Sequence, residues 1–353
     1  MHHLHIVSAK VWGGGESYVL NIAALAKERN DTVTVVCDRQ HPEMARRFKG
    51  MANVVEVGFR PVDAFSSFLK IAKLIRQTGV SDISYHSGKI ALFCVLLAKL
   101  CRRPCVFFKH NVINGKNDFY HLFLLSRLDA VVCVSHAVRD ALIRNLPGEF
   151  HEKIRVLHTG IPLPPAEKRR AEDGRVTIGY AGRIVRNKGV ELLLKACGGF
   201  PENVRCLIAG DTSEAYARNL VHAHRDDPRV SFCGQLSDLS GFYRSIDVFA
   251  APSIVPEAFG LSVCEAMSFG LPVVTTTSGA QREIVSDGLD GILVEPNDQQ
   301  ALSEALTRLV ANPLLREKLG AAAREKIRKN FSSEAFYDGL EAIYASLADC
   351  PAP

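Results

Sequence analysis

Apolar positions recur along the chain at two periods. Short apolar runs such as "LHIVSA" (4–9), "TVTVVCD" (32–38), "NVVEVGF" (53–59), "CVFFKHN" (105–111) and "AVVCVS" (130–135) predict strands buried on both faces. Between them, apolar residues spaced three and four apart predict helices over 17–30, 63–77, 89–102 and 136–145. Near-continuous apolar strands separated by helices specify a parallel sheet with helices packed on it. "PLPPAEKRRAEDG", Pro162–Gly174, breaks the pattern with proline and charge and reads as an interdomain linker. A second alternation follows, with strands "VTIGYAG", "VRCLIAG", "VSFCG", "VFAAPS", "PVVTTT" and "GILVEP" and helical text filling 298–312, 313–329 and 333–348. The expected architecture is α/β: two Rossmann-like parallel-sheet domains facing each other across a cleft. The first spans 1–161 and the second 175–332, with the C-terminal helix in 333–353 packing back on the first.

Bulk properties narrow the class. At 353 residues and 47% hydrophobic, the chain can bury two cores. The net charge of +5 is unevenly spread: residues 1–160 carry 22 Lys/Arg and 13 Asp/Glu, residues 161–353 carry 21 and 25. The basic first half suits a phosphate-bearing or membrane-surface partner, unless the asymmetry is only scatter in surface charge. Ten cysteines form no CxxC pair, and Cys133 and Cys206 sit inside apolar runs, which fits reduced buried thiols better than disulfides or a zinc site. The apolar run "IALFCVLLA" (90–98) is far shorter than the ~20 residues a bilayer span needs. The N-terminus lacks a signal-peptide core. The expectation is a cytoplasmic protein, peripheral at most on the inner face of the plasma membrane, with no nucleic-acid partner.

Three stretches carry candidate chemistry. "GGGE", Gly13–Glu16, lies between the first strand and first helix, where glycine admits a ligand close to the backbone and the helix start offers N–H groups to an anion. It is not the dinucleotide GxGxxG pattern, since Glu16, Ser17 and Tyr18 follow Gly15. By itself it is as well explained as a tight turn. "GRIVRNKG", Gly182–Gly189, repeats the arrangement in the second half and adds Arg183 and Lys188, which together could neutralise a diphosphate. Arg186 is expected to point to solvent. "SIVPEAFGLSVCEAMSFGLPVV", Ser253–Val274, puts Glu257 in a loop and Glu265 one turn into a helix starting near Leu261, with Gly260 between them. Charge–dipole stabilisation would explain one carboxylate at a helix start, but not the glycine and apolar setting.

Together these residues resemble the retaining glycosyltransferases of family 4, of the GT-B fold. "EAFGLSVCE" matches that family's E-x7-E motif, with Glu257 and Glu265 as its ends, and the resemblance covers nearly the whole chain. It implies that Arg183 and Lys188 hold the diphosphate of a nucleotide-sugar, a UDP-sugar being favoured over a GDP-sugar, and that Glu265 holds the ribose. Glu257 would contact the donor sugar, with backbone N–H groups near Phe259, Gly260 and Leu261. Gly14 and Gly15 would approach the diphosphate, and Gln235 and Leu236 would lie against the base. His110, in "FFKHN", would face the reacting sugar; outside that context a structural strand-end histidine is its plainer role. The catalytic set so implied is His110, Glu257, Arg183 and Lys188. Retention in the family is explained by front-face attack, in which the leaving phosphate takes the acceptor's proton. No DxD-type motif is visible, so transfer without a metal or other cofactor is expected. The acceptor expected is a saccharide or glycolipid, of lipopolysaccharide-core or lipid-linked glycan type. Segment 63–77 groups Phe65, Phe68, Leu69, Ala72 and Ile75 near one face, either toward the core or toward an anionic bilayer. A non-catalytic nucleotide-sugar-binding protein and a GT-B epimerase are the alternative functions. A nicotinamide dehydrogenase is disfavoured by the missing fingerprint.

Overall fold

The computed structural model describes residues 1–165 and 174–348; of the expected linker Pro162–Gly174, residues 166–173 lie outside the described residues. Two compact units result, one of Met1–Gly160 with the C-terminal helix from Ser333, the other of Ile161–Ser332. The first contains β1 (His2–Val7), α1 (Gly14–Glu28), β2 (Thr32–Asp38), α2 (Pro42–Phe48), β3 (Asn53–Val57), α3 (Pro61–Thr78) and β4 (Asp82–Tyr85). It continues with α4 (Ala91–Cys101), β5 (Cys105–Lys109), α5 (Phe119–Ser126), β6 (Ala130–Cys133), α6 (His136–Ile143) and β7 (Ile154–Val156). The second contains β8 (Val176–Ala181), α7 (Val190–Gly198), β9 (Val204–Ala209), α8 (Ala215–Ala223), β10 (Val230–Gly234), α9 (Ser240–Ser245) and β11 (Val248–Ala251). It ends with α10 (Leu261–Ser268), β12 (Val273–Thr276), α11 (Gln281–Ile284), β13 (Ile292–Val294), α12 (Gln299–Ala311) and α13 (Pro313–Asn330); α14 (Ser333–Ala348) belongs to the first unit.

In the first unit the described strands form a seven-stranded parallel sheet in the order β3-β2-β1-β4-β5-β6-β7. β1 is central, with Ile6 opposite Val36 on one side and Tyr85 on the other. The order reverses at β1. Right-handed crossovers then put α1 and α2 on one face and α3, α4 and α5 on the other. The packing agrees: α3 meets α4, α4 meets α5, and α1 meets α14. β1 alternates Leu4 and Ile6 with His3 and His5, all buried. His3 is accommodated because its Nδ1 lies 2.5 Å from Asp82 Oδ2 and its ring stacks on Tyr344 of α14, 4.5 Å between centroids. Burial raises the Asp82 carboxyl above its ordinary range, against the pull of His3.

Two expectations are corrected. α1 begins at Gly14 rather than Ser17, because Gly13 acts as N-cap: its N–H donates to Glu16 Oε2 at 2.9 Å and its carbonyl accepts from Ser17. In α3, Phe65 and Leu69 are exposed, and the core face is Ser67, Ile71, Ala72 and Ile75. Ser67 can go inside because its hydroxyl exchanges hydrogen bonds with the backbone of Gly58 at 2.8 and 3.2 Å, which apolar spacing does not reveal. Helices α2, α5 and α11, of seven, eight and four residues, add to those read from the sequence.

The second unit's described strands form a six-stranded parallel sheet in the order β10-β9-β8-β11-β12-β13. Its core is aliphatic, with Ile178, Leu193, Ile208 and Leu306 fully buried. Side-chain caps fix the ends of the long helices: Asp298 accepts from Ala301 N at the start of α12, and Asn312 from Leu315 N at the start of α13. Among the described residues no helix is long and apolar enough to cross a membrane.

Candidate functional site

In each sheet the strand order reverses beside the first strand, and loops at the carboxyl ends of the flanking strands border a crevice there. In the second unit those strands are β8 and β11, and the loops after them carry the predicted Arg183, Lys188 and Glu257. Lys188 Nζ lies 2.5 Å from Glu257 Oε1, both side chains about one-fifth exposed. The two loops are joined directly, since Ile254 N donates to Asn187 O at 2.9 Å. Gly189 makes this possible: its φ is +71°, and a Cβ there would sit 1.9 Å from the Pro252 carbonyl oxygen. Arg183 is exposed at the end of β8, its carbonyl accepting from Tyr180 OH at 2.8 Å. Arg186 does not simply face solvent: its guanidinium lies over the Tyr216 ring, 5.4 Å from the centroid.

The Glu257 backbone is fixed by a bridge to Gly279 and by Ala280 N, which donates to Glu257 O at 2.9 Å. Gly260 caps α10 with φ +110°, and a Cβ there would meet Gln281 Nε2 at 2.6 Å. Leu261 opens α10, whose first N–H groups lack intrahelical acceptors. Phe259 points inward and packs edge-on to Phe331, so any ligand contact at this position would be through backbone. Glu265 sits on the second turn of α10 and accepts from Tyr243 OH at 2.7 Å. Burial raises its carboxyl above the ordinary range, while the Tyr243 hydrogen bond pulls it down. Gln235 and Leu236 are exposed just past β10, with β9 between that strand and β8. The structure thus brings Lys188 and Glu257 together, sets Glu265 on the same helix that Gly260 starts, and leaves Gln235 and Leu236 at the sheet's edge.

In the first unit the reversal lies between β1 and β4. Gly14 and Gly15 form the opening turn of α1. A Cβ on Gly15 would come within 3.3 Å of the His110 ring, so glycine is what lets His110 lie against the helix start. His110 follows β5 and meets Tyr18 edge-on, 5.1 Å between centroids. Its Nε2 is 2.9 Å from His86 Nδ1, and His86 Nε2 is 3.0 Å from His5 Nδ1. Burial lowers His110 to about 4 and His5 to about 3, and holds His86 well below its ordinary value. All three are therefore neutral imidazoles near pH 7. Beside them a cavity of about 280 Å³ is lined by Ser8, Lys10, Glu16, His86, Ser87 and Lys89.

His5, His86, Glu16, Tyr243 and Gln281 were missed from the sequence. His86 could have been found: like His110 it stands just past the carboxyl end of a short strand, here β4. His5 and Tyr243 sit inside regular elements and give no such signal. The arrangement offers two cations on one loop, a fixed carboxylate and helix-end N–H groups in one unit, and neutral polar rings with a two-lysine cavity in the other. Such groups suit a diphosphate and a polyol.

A model described as Glycosyltransferase Family 4 matches residues 12–163, and one described as Glycosyl transferases group 1 matches residues 166–326. The chain is 31% identical to the capsular polysaccharide biosynthesis glycosyltransferase CapM of Staphylococcus aureus, over 92% of each chain. It is 30% identical to the lipopolysaccharide core biosynthesis mannosyltransferase LpcC of Rhizobium leguminosarum bv. viciae, over 72% of this chain and 74% of that one. The structure of Anabaena HepE in complex with UDP superposes with a TM-score of 0.84 at 19% identity, covering 98% of this chain and 100% of the other.

Proposed function

This chain belongs to glycosyltransferase family 4, with the GT-B fold, and on that premise we propose that it moves a hexose or N-acetylhexosamine from a nucleotide-sugar, a UDP-sugar foremost, to a lipopolysaccharide-core or lipid-linked glycan, with retention and without a metal ion. The observation that carries the donor half is the Lys188–Glu257 contact beside the Gly260 helix start. In this reading Lys188 exchanges Glu257 for the donor diphosphate, and Arg183 adds a planar guanidinium to the same anion. Glu257, released from the lysine, accepts from sugar hydroxyls, and the N–H groups at Gly260 and Leu261 face the donor. Glu265 accepts from the ribose, and the backbone at Gln235 and Leu236 borders the base. In the first unit, Gly14 and Gly15 offer the opening N–H groups of α1 and His110 a neutral ring to a phosphorylated or polyol ligand.

The reaction breaks the bond between the sugar's anomeric carbon and the diphosphate oxygen. The acceptor hydroxyl oxygen bonds to that carbon on the same face, and its proton passes to the departing phosphate oxygen. Negative charge grows on that phosphate in the transition state, and fixed cations and N–H donors aimed at it lower the barrier. The HepE complex supports UDP as the nucleotide, while the name of LpcC supports mannose, so the screen sets three UDP-sugars against GDP-mannose. LpcC and CapM are named for lipopolysaccharide core and capsular polysaccharide biosynthesis, which supports the acceptor class.

The first unit also suits a membrane-borne acceptor. Val62, Phe65 and Leu69 on α3, Leu92, Leu96 and Leu100 along α4, and Phe119, Tyr120 and Phe123 on α5 are exposed. These helices are neighbours, and residues 60–127 carry eleven Lys/Arg against three Asp/Glu. All three acids are paired: Asp82 with His3, Asp63 with Arg39 and Arg60, and Asp118 with His121. An apolar surface rimmed by cations fits an anionic bilayer.

The deciding experiment is a donor screen. The protein is heated with UDP-glucose, UDP-galactose, UDP-GlcNAc and GDP-mannose, with and without EDTA, and transfer is then assayed with the stabilising donor. A donor at 100 times its Kd should stabilise by about 2.7 kcal/mol. Loss of transfer in EDTA with rescue by a divalent ion would overturn the metal-free mechanism. Failure of every donor would overturn the donor assignment.

A further inference from the structure

Three histidines from three different strands of the first sheet meet at its carboxyl edge, and only His110 has been given a role. His5 ends in the core of β1, and its Nε2 is buried without a hydrogen-bond partner among the described residues. Its other nitrogen, Nδ1, is 3.0 Å from His86 Nε2, and His86 Nδ1 is 2.9 Å from His110 Nε2. The rings are nearly parallel, 28° apart for His5 and His86 and 20° for His86 and His110. His86 also stacks on Phe108 at 4.9 Å, and Gly15 and Tyr18 close in on His110.

Each ring, being neutral, carries one N–H and one lone pair. Every link then needs one donor and one acceptor, so the whole chain of hydrogen bonds must run in a single direction. If it ran from His110 toward His5, the last proton would fall on His5 Nε2, an N–H buried with nothing to accept it. If it runs outward, His5 Nε2 holds only a lone pair. Orphaned buried N–H groups are rarer in native proteins than under-satisfied acceptors. We propose that His5 and His86 are positioning residues that run this chain outward, from His5 to His86 to His110, and so fix His110 as the tautomer with its proton on Nδ1. His110 thereby presents a hydrogen-bond donor, not an acceptor, to an oxygen of the ligand. The use of that donor in transfer rests on the role proposed above for His110; the direction of the chain does not.

The test begins with the unmodified full-length protein labelled with ¹⁵N-histidine, the His110 signals being assigned by their loss in His110→Phe. At pH 7 the expected spectrum has His110 Nδ1 at a protonated shift and Nε2 at an unprotonated one. In His86→Phe, which keeps the stacking ring but donates nothing, the His110 tautomer should become mixed or invert. In His86→Asn, whose amide N–H stands near the lost Nδ1, the original tautomer should persist. With the UDP-sugar that the screen selects, His86→Phe should lower kcat about tenfold with KM within about twofold, and His86→Asn should recover most of the loss. A proton on His110 Nε2 in the unmodified protein, or an unchanged His110 tautomer in His86→Phe, would overturn the proposal. Full transfer activity in His110→Phe would remove His110 from the site while the tautomer measurement still decided the chain.

Discussion

Lys188 and Glu257 stand 69 residues apart and touch at 2.5 Å, joining the loops that follow the two strands at the reversal of the second sheet. Their contact makes each the other's partner until an anion displaces it. Replacing either by alanine should lower kcat/KM about 10²–10³-fold, or about 2.7–4 kcal/mol. The double variant should lose much less than the sum, because each single change also strands the other charge. Each single change should cost about 1–3 kcal/mol of stability and the double change less, since the side chains are only about one-fifth exposed and a single change strands the other charge. Steady-state kinetics on the four proteins of the cycle measure this, and strict additivity would mean the two act separately.

Glu265 and Tyr243 form a second checkable pair. Glu265→Gln should weaken UDP binding about tenfold by calorimetry, the scale of a hydrogen bond to a charged group. Tyr243→Phe takes away the hydrogen bond that lowers the Glu265 carboxyl, leaving burial to raise it further. The carboxylate form is then lost at a higher pH. The acidic limb of UDP affinity should therefore move upward in Tyr243→Phe and stay put in a control such as Tyr216→Phe.

Gly189 tests whether the loop geometry is fixed. Alanine there faces both a left-handed backbone and the Pro252 carbonyl, and should cost at least about 2 kcal/mol. Gly198, with open space around it in α7, should tolerate alanine or gain about 0.5–1 kcal/mol. Chemical denaturation midpoints compare the two.

The buried histidines set a pH dependence. Unfolded, His5 and His110 take a proton near pH 6.5; folded, they resist it to about 3 and about 4. Between these limits the unfolded chain binds more protons, so stability falls as pH drops from about 6.5 toward 4. Asp82 and Glu16, raised by burial, act with the opposite sign at the acid end. His5→Phe should thus flatten the decline in melting temperature between pH 6.5 and 4.5. An equally steep decline would show that His5 is not held neutral.

The exposed apolar strip predicts vesicle binding. The protein should float with vesicles containing anionic lipid and much less with neutral ones, and Phe65→Ser with Leu96→Ser should weaken flotation without lowering the melting temperature, as both side chains are solvent-exposed. High salt should weaken it as well. Flotation that ignores lipid charge, or is kept in the double variant, would sink the assignment.

The alternation of apolar strands and helices and the placement of Arg183, Lys188, Glu257 and His110 after strands were readable from the sequence, because local periodicity and chain punctuation decide them. Which residues meet was not. Hydrophobic period fixes the face of an element but not its neighbour, and the strand order of a sheet joins residues by a nonlocal rule. Only the folded sheet sets His5, His86 and His110 in one line, turns Phe65 outward while Ser67 goes in, and presses Lys188 onto Glu257. Pattern spacing counts apolar groups; the tertiary structure also weighs whether each buried polar group finds a partner, and in this chain that criterion shaped both candidate sites.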